Sequence, residues 1–305
     1  MLERNESAIL ARIRERFPGG EALTDDCGLI PEVPPGQRLL VTTDVMEEGQ
    51  HFCTAWHPPR MLGRKLLMVN LSDLDASGAL PLGFTFTLAL ARDFDLAWLE
   101  AFLDGLADAA RECQVPVIGG DTVGRATGLG LGITAFGAAS RWLRRDEVQP
   151  GDALYVDQPL GASLRGLRKL QAGIRWDGAR PDPDLAAHLD PSPNLGLGLR
   201  LAGMPEIHAC IDLSDGLSKD LRMLAETSNL SLVLEASLTE DELRGGEDYA
   251  RCFASPLPRS ELEARLGVRL QRVAGAVARR EAPLLIYDGG SLHPLPDRSF
   301  DHFHA

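Results

Sequence analysis

The chain has 305 residues, of which 44 are acidic and 31 basic, giving a net charge of −13. This length predicts two domains, and the negative charge without any run of Lys or Arg argues against nucleic acid or an anionic membrane as a partner. The five cysteines are scattered and form no C-x-x-C pair, which argues against a disulfide framework or a zinc cage and favours a reducing cytoplasm. The N-terminus is charged and helix-periodic rather than a signal peptide, and no apolar run is long enough to span a membrane.

The first half of the chain alternates between helical and strand patterns. Apolar residues at helical spacing from Ala8 to Phe17 predict a helix, and a loop with Asp25 and Asp26 follows. Residues 38–44 are typical of a buried strand and residues 58–78 of a long, mostly buried helix. Further strands are expected over 82–91, 115–119 and 128–138, and a further helix over 95–113.

A charged stretch with Pro and Gly, residues 144–152, separates two apolar patterns. We therefore predict an N-terminal domain over 1–148 and a C-terminal domain over 149–305. In the second half, strands are expected over 153–156, 208–213, 230–235, 249–254, 270–278 and 284–287, helices after Gly161 and over 216–227, and a Pro-rich connection over 181–193. The loose alternation lacks the strict rhythm of a Rossmann or barrel fold and predicts a mixed α/β (α+β) enzyme.

Several apolar runs lead into an aspartate: Asp44, Asp121 and Asp212, with Asp215 following closely. Ligands bind at strand ends in α/β sheets, because side chains there converge on a crevice. Carboxylates are the ligands that Mg²⁺ prefers. The alternative for any single aspartate is a turn or a helix cap.

This alternative is concrete for Asp215, which could pair with Lys219 one turn on, while Ser214 serves as the N-cap of the helix. Neither Asp212 nor Asp215 would then need a metal. Two carboxylates this close repel each other, however, unless a cation or a proton intervenes.

Asp73 lies inside the apolar helix and therefore needs a partner. Asp73 and Asn70 share a helix face and can look inward, whereas Asp75 points about 200° away and is expected to be solvated. The sequence supports two hypotheses for this partner equally: Asp73 forms a salt bridge with Lys65 or an Arg, or Asp73 binds a metal ion.

Two glycine-rich segments are candidates for phosphate binding. Gly161 and Gly166 have the Walker spacing, but Leu167 stands where the phosphate-binding Lys belongs, which disfavours a P-loop. The better candidate is the segment Gly119-Gly120-Asp121-Thr122, because glycines let the backbone approach an anion beside a carboxylate.

Taken in chain order, these segments resemble the thiamine-monophosphate kinases, members of the superfamily that includes aminoimidazole ribonucleotide synthetase. The motifs that carry the resemblance are Asp25-Asp26-Cys27, Thr42-Thr43-Asp44, Glu48-Gly-Gln-His51-Phe52, Val69-Asn-Leu-Ser-Asp73-Leu, Gly119-Gly-Asp121-Thr, Ile211-Asp-Leu-Ser-Asp215-Gly-Leu, Gly245-Gly-Glu247-Asp-Tyr and Phe300-Asp-His-Phe303. The sequence departs from the family pattern at Thr24, Ser77, Leu80, Asp190 and Asn194 and in a short segment over 234–245.

The resemblance implies a fold of the aminoimidazole ribonucleotide synthetase type, ATP as co-substrate, several Mg²⁺ ions and a homodimer formed through the first domain. By resemblance, the metal-site residues are Asp26, Thr42, Thr43, Asp44, Asp73, Asp121, Asp212 and Asp215. Gly120, Asp121, Arg145 and Ser214 would bind ATP, with Arg145 and Asp121 catalytic. His51, Glu247 and Phe300 would meet thiamine monophosphate.

The implied reaction is in-line attack of the substrate phosphate on the γ-phosphorus of ATP, giving thiamine diphosphate. That phosphate is largely ionised at neutral pH, so no general base is needed. Two alternatives remain open at this point: a related ATP-dependent kinase or synthetase with another small phosphorylated substrate, and a non-catalytic protein that binds a thiamine phosphate.

Overall fold

A computed structural model of the chain describes residues 6–25, 27–176, 178–288 and 290–296. Asp26 and Phe300 lie outside the described residues, so their roles stay predictions. The chain divides into two compact units. The first comprises Met1–Leu74, Ala79–Ala139 and Arg175–Ala179, and the second Asp75–Gly78, Ser140–Ile174 and Arg180–Ala305. The predicted boundary after residue 148 stays a prediction.

The first unit is built on one mixed sheet. Its elements are α1 (Glu6–Arg16), a 3-10 turn (Gly20–Ala22), β1 (Arg38–Glu47), α2 (Pro59–Ala76), β2 (Leu80–Ala91), α3 (Leu96–Glu112), β3 (Val117–Arg125) and β4 (Leu129–Ala139). The sheet has four strands in the order β1-β4-β2-β3. Strands β2 and β3 are parallel, and the other pairs are antiparallel. The last two residues of α2 belong to the second unit.

One face of this sheet forms a core. Phe84, Phe86 and Leu88 of β2 are buried, and Phe17, just after α1, stacks on Phe86 with 5.4 Å between the ring centroids. The predicted first helix is thereby confirmed, and its last apolar residue connects it to the sheet.

The opposite face is apolar, and the described residues do not cover it. Leu39, Val41 and Val45 alternate along β1 and are 46%, 62% and 57% exposed. The prediction that residues 38–44 form a buried strand is therefore wrong about burial, although the strand exists. β1 is an edge strand, and only Met46 within it is buried.

Glycines let α2 and α3 cross closely. A Cβ added to Gly63 would lie 2.2 Å from the carbonyl oxygen of Phe102, and one added to Gly105 would lie 1.9 Å from that of Arg60. Each helix thus brings its backbone against the other where a side chain is missing. This crossing positions α2, which carries Asn70 and Asp73.

The second unit contains β5 (Ala153–Val156), α4 (Ala162–Gln171), α5 (Pro183–Leu189), α6 (Leu197–Ala202), β6 (Ala209–Asp212), α7 (Leu217–Thr227), β7 (Leu230–Leu234), α8 (Glu240–Arg244), β8 (Arg251–Ser255), α9 (Arg259–Leu266), β9 (Gln271–Ala278), β10 (Leu284–Asp288) and β11 (Ser291–Pro294). Its sheet has seven strands in the order β11-β10-β7-β9-β5-β8-β6. Only β10 and β7 pair in parallel among the described strands of this sheet. Two mixed sheets confirm the mixed α/β class predicted from the sequence.

The central strands of this sheet are buried on both faces. Leu154 and Ile211 belong to one hydrophobic cluster with α7, whereas Tyr155 and Cys210 belong to another with α6 and α9. Strands covered on both sides read as continuous apolar runs, which is why β5 and β6 were predictable. The short helices α5, α6, α8 and α9 were not predicted, since none exceeds eight residues and the apolar period is not repeated.

In the part of the chain that the structure describes, no helix is both long enough and apolar enough to cross a membrane.

We expect Gly105→Ala to lower the free energy of unfolding by about 1–3 kcal/mol, because the new methyl group forces α2 and α3 apart. Gly124→Ala is the matched control: a Cβ at Gly124 meets no atom within 4 Å. Urea denaturation followed by circular dichroism measures both variants. Equal stability of the two variants would contradict the close helix crossing.

Candidate functional site

Asp44 and Asp73 lie where β1 packs on α2. The backbone N–H of Asp44 donates to Asn70 Oδ1 at 3.1 Å, and Thr42 Oγ1 donates to Asp73 Oδ2 at 2.6 Å. Thr42 and Asp44 alternate along the strand and so face the same side, and Asn70 and Asp73 share a helix face as their spacing predicts. The structure therefore brings Thr42, Asp44 and Asp73 together.

Thr43 lies between them and faces the other way. Its hydroxyl donates to the carbonyl oxygen of Ile133 at 2.9 Å and lies 3.1 Å from Thr134 Oγ1. A strand presents successive side chains to opposite faces, so Thr43 does not join Thr42 and Asp44 through its side chain.

Asp121 also lies on the far side of the sheet from Asp44. The strand register pairs Asp121 with Thr87 and Thr87 with Gly132. Gly132 in turn pairs with Val45 of β1. Residues paired across strands share a face, so Asp121 is on the uncovered apolar face, on the side of Val45. Its Oδ1 accepts the N–H of Thr122 at 2.9 Å.

The prediction that Asp44 and Asp121 end their strands is wrong. Asp44 lies within β1 and Asp121 within β3, whereas Asp212 does end β6. β1 and β3 are the two outer strands of their sheet. Polar side chains on such strands can be solvated, so the strand continues past the carboxylate and the end of the apolar run does not mark the end of the strand.

The glycine segment before Asp121 borders an open cavity of about 400 Å³. Its lining includes Gly119, Gly120, Asp121, Thr24 and Asp25. A Cβ at Gly120 would lie 2.3 Å from the carbonyl oxygen of Phe86. Strand packing therefore requires a glycine at 120, whether or not an anion binds there.

His51 lies in the turn that follows β1. Its ring Nδ1 accepts the backbone N–H of Glu47 at 3.0 Å, and the backbone N–H of His51 donates to the carbonyl oxygen of Glu47 at 2.9 Å. The first bond fixes the neutral tautomer with the proton on Nε2.

Three carboxylates gather where β6 leads into α7. Asp212 is 5% exposed, and Asp215 pairs with Lys219 at 2.7 Å, as the alternative reading of the sequence expected. Asp220, which the sequence analysis missed, is buried in the first turns of α7. Burial raises its pKa well above the ordinary value, and the charges of Asp215 and Asp212 raise it further. The signal that could have found it is an Asp at an apolar position of the helical period.

Ser214 does not cap α7, contrary to the alternative reading. The N-cap is Gly216, at a φ of 110°, without any side-chain hydrogen bond to the helix. Instead, the carbonyl oxygen of Ser214 accepts the N–H of Glu247 at 2.8 Å. The structure thus brings together Ser214 and Glu247, to which the family resemblance gives contacts with ATP and with the acceptor.

The segment with Glu247 is held in an unusual backbone conformation. Glu247 and Tyr249 have φ values of 61° and 50°, in the left-handed region that non-glycine residues rarely adopt. The N–H of Tyr249 donates to the carbonyl oxygen of Leu213 at 2.8 Å. Such strain persists where surrounding contacts impose it, and it is concentrated at functional sites.

Asp248 explains why the Walker spacing at Gly161 is not a P-loop. Its carboxylate accepts the N–H of Gly161 at 2.6 Å and that of Ser163 at 3.3 Å, at the start of α4. A carboxylate of the protein therefore takes the place that a phosphate would occupy. Burial raises the pKa of Asp248 to about 6.

Arg145 lies along α7 rather than at its first turn. Its Nη1 contacts Met223 Sδ, and its carbonyl oxygen accepts the hydroxyls of Thr227 and Ser228 at 3.3 Å. Met223 is about 9 Å along the axis from Leu217, the first residue of the helix. Arg145 is exposed.

Asp75 is not solvated, contrary to the sequence prediction. Its carboxylate accepts the N–H groups of Gly196 at 2.6 Å and Gly198 at 3.0 Å and pairs with Arg251 Nε at 2.7 Å. Asp75 is 3% exposed and Arg251 is fully buried. The helix face opposite Asp73 is therefore covered, which the helical period alone could not reveal.

Within the described ranges, no group of three or more His, Cys, Asp or Glu side chains is arranged to hold a metal ion. Magnesium seldom uses such a cage, because it usually binds through one or two carboxylates, water and substrate phosphates. Asp44 and Asp73, which lie on β1 and α2 where these elements pack together, and Asp212 and Asp215 supply hard oxygen donors of this kind. These residues fit magnesium by the chemistry of their donors.

The chain is similar to known proteins over nearly its whole length. Residues 24–139 match the family model described as AIR synthase related protein, N-terminal domain. Over 98% of both chains, the sequence is 35% identical to the thiamine-monophosphate kinase of Escherichia coli K12. The crystal structure of thiamine-monophosphate kinase from Stenotrophomonas maltophilia K279a has 31% identity and a TM-score of 0.75 over 92% of this chain and 94% of that one.

A further solved structure, AaThiL complexed with AMPPCP and TMP, has a TM-score of 0.76 over 98% of this chain and 97% of that one, at 24% identity, which speaks to the fold alone. The fold is that of the AIR-synthase-related proteins. Within that class, the chain belongs to the thiamine-monophosphate kinase family, which confirms the resemblance seen in its motifs.

The raised pKa of Asp248 makes stability depend on pH. The folded state holds this proton up to about pH 6 and the unfolded state releases it near 3.8, so raising the pH through this window favours unfolding. Asp248→Asn cannot ionise, but its amide oxygen still accepts hydrogen bonds. We expect the free energy of unfolding of the variant to rise by about 2–3 kcal/mol relative to that of the parent between pH 4 and pH 7. Urea denaturation at each pH measures this, and parallel curves for the two proteins would contradict it.

Proposed function

We propose that this protein transfers the terminal phosphoryl group of ATP directly to thiamine monophosphate, giving thiamine diphosphate and ADP, by in-line displacement with several Mg²⁺ ions bound. The observation that carries the proposal is the match to the Escherichia coli kinase over 98% of both chains. Membership of this family makes the chain a thiamine-phosphate kinase. We place the reaction in the cytoplasm.

The residues proposed to hold magnesium are Asp26, Thr42, Thr43, Asp44, Asp73, Asp121, Asp212 and Asp215. Bound magnesium would neutralise the triphosphate and stabilise the charge that spreads over the transferred group. Two of these carboxylates are held by hydrogen bonds between β1 and α2: Asn70 binds the backbone of Asp44, and Thr42 binds the side chain of Asp73. Thr43 would act through its backbone, since its hydroxyl is bonded to β4.

The nucleotide and the acceptor are proposed to meet beside the loop that leads into α7. The hydrogen bond between Ser214 and Glu247 supports this, because the first is assigned to ATP, with Gly120, Asp121 and Arg145, and the second to the acceptor. Glu247 and the ring of Phe300 suit a cationic thiazolium, and His51 completes the acceptor set. Arg145 would stabilise charge on the transferred group.

The reaction needs no general base from the protein. The acceptor oxygen belongs to a phosphate that is already ionised at neutral pH. The hydroxyl of free thiamine would instead have to lose a proton, which requires a positioned base. An assay with ATP and either thiamine monophosphate or thiamine, followed for the phosphorylated product, tests the proposal. Turnover of thiamine as efficient as that of thiamine monophosphate would sink it.

We further propose a homodimer that covers the apolar face of the first sheet. Leu39, Val41 and Val45 form a stripe on this face that no part of the described chain covers. Exposed apolar patches on soluble proteins mark interaction sites. Asp121 is on the same side, so we assign its contacts with nucleotide and metal to the dimer rather than to the Asp44 side of its own sheet.

We expect Asp44→Asn and Asp121→Asn each to lower kcat by about 10²-fold or more at saturating magnesium, because each removes a charged oxygen from the site. Asp93→Asn, at an exposed turn, is the matched control and should keep the activity of the parent. The melting temperatures of all three variants should match the parent. An active Asp44→Asn or Asp121→Asn enzyme would remove that residue from the metal set.

We expect Val41→Lys to convert the dimer into a monomer, since a charge at the centre of the apolar stripe must be desolvated on association. Ile174→Lys, at another exposed apolar position, is the control and should leave the association state unchanged. Sedimentation velocity distinguishes the two states. A dimeric Val41→Lys variant would exclude this face as the interface.

A further inference from the structure

We propose that His188 is a positioning residue for the acceptor substrate, which holds the Glu247 carboxylate in the orientation that receives the cationic ring. The inference rests on the proposed function, in which Glu247 meets the thiazolium. It assigns a role to a residue that neither the motifs nor the assigned metal and nucleotide residues include.

The contact is direct and largely shielded from water. His188 Nδ1 lies 3.2 Å from Glu247 Oε2 and 3.1 Å from Ser163 Oγ. His188 is 5% exposed, whereas the Glu247 side chain is 26% exposed. An ionised carboxylate can only accept hydrogen bonds, so this contact requires the tautomer of His188 with the proton on Nδ1, which lies between Glu247 Oε2 and Ser163 Oγ. One side of the carboxylate is thereby held by the protein while part of it stays accessible.

The packing of α5 on α4 fixes the position of the imidazole. A Cβ at Gly166 would lie 2.1 Å from the carbonyl oxygen of Asp184 and 3.0 Å from the Cβ of His188. Ion pairs from Arg165 to Asp184 at 2.9 Å and from Lys169 to Asp182 at 2.8 Å connect the same two helices. His188 therefore comes from a supported scaffold rather than from a free loop.

The backbone of Glu247 is fixed as well. Its φ is 61°, its N–H donates to Ser214, and the next residue, Asp248, is bound to the start of α4. The remaining freedom of Glu247 lies in its side-chain torsions, which the contact with His188 restricts. A carboxylate ordered before binding loses less entropy when the substrate arrives, so His188 should lower KM for the acceptor without taking part in the chemical step.

The test uses the full-length protein and compares His188→Ala with His188→Asn. We expect His188→Ala to raise KM for thiamine monophosphate about tenfold, as the loss of a hydrogen bond to a charged group does, with kcat and KM for ATP as in the parent. The Asn side chain places its amide nitrogen near the position of Nδ1, so His188→Asn should restore most of the affinity.

The matched control is His208→Ala. His208 Nδ1 bonds the Asp152 carboxylate at 2.9 Å in the same unit, so this variant also breaks a histidine–carboxylate pair but should leave KM for thiamine monophosphate unchanged. In a double-mutant cycle, His188→Ala should raise KM for thiamine monophosphate only slightly in the Glu247→Gln background, because His188 acts through the Glu247 carboxylate.

The outcomes separate the two proposals. A parent enzyme that does not phosphorylate thiamine monophosphate overturns the proposed function and this inference with it. An active parent whose KM for thiamine monophosphate is unchanged in His188→Ala overturns the role of His188 alone. A rise in the KM for thiamine monophosphate of His188→Ala that His188→Asn does not restore identifies a purely structural effect and also overturns the positioning role of His188. A rise in this KM that is just as large in the Glu247→Gln background does the same.

Discussion

The packing of β1 on α2 is the contact on which the first unit of this protein depends. β1 is an edge strand, so part of its backbone has no neighbouring strand to bond. Asn70 supplies a hydrogen-bond acceptor in place of a neighbouring strand, because its amide oxygen accepts the N–H of Asp44. The Nδ2 of Asn70 donates to the carbonyl oxygen of Leu66 at 2.9 Å. Because Asn70 is fully buried, losing either bond would leave a polar group unsatisfied. The strand, the helix and two candidate metal ligands are thereby fixed together.

Repulsion between carboxylates is a second constraint, in the second unit. Asp212, Asp215 and Asp220 are close enough that the first two raise the pKa of the third. The protein offsets part of this charge with Lys219 and leaves Asp215 partly exposed. Such a cluster of carboxylates is destabilising without cations and less so with them, which is the physical reason for proposing magnesium here.

The same unit also contains buried charge that serves structure rather than chemistry. Asp75 and Arg251 form a buried pair, and Asp75 further binds the backbone before and within α6. The backbone N–H of Arg251 also donates to Asp157 at 2.7 Å. Removing one partner of the Asp75–Arg251 pair would leave an uncompensated buried charge, which would lower the free energy of unfolding strongly.

The sequence by itself determined the mixed α/β class, the longer helices and strands, and the order of motifs that places the chain in its family. These features are local, because helical and strand periods and short motifs are written in neighbouring residues. Tertiary structure alone decided which side of an element is covered. Asp75 pairs with Arg251 across 176 residues of sequence, one face of β1 is left exposed by the described residues, and Asp121 lies on the sheet face opposite Asp44. A period states which residues share a face, but what packs against that face depends on segments that are distant in the sequence.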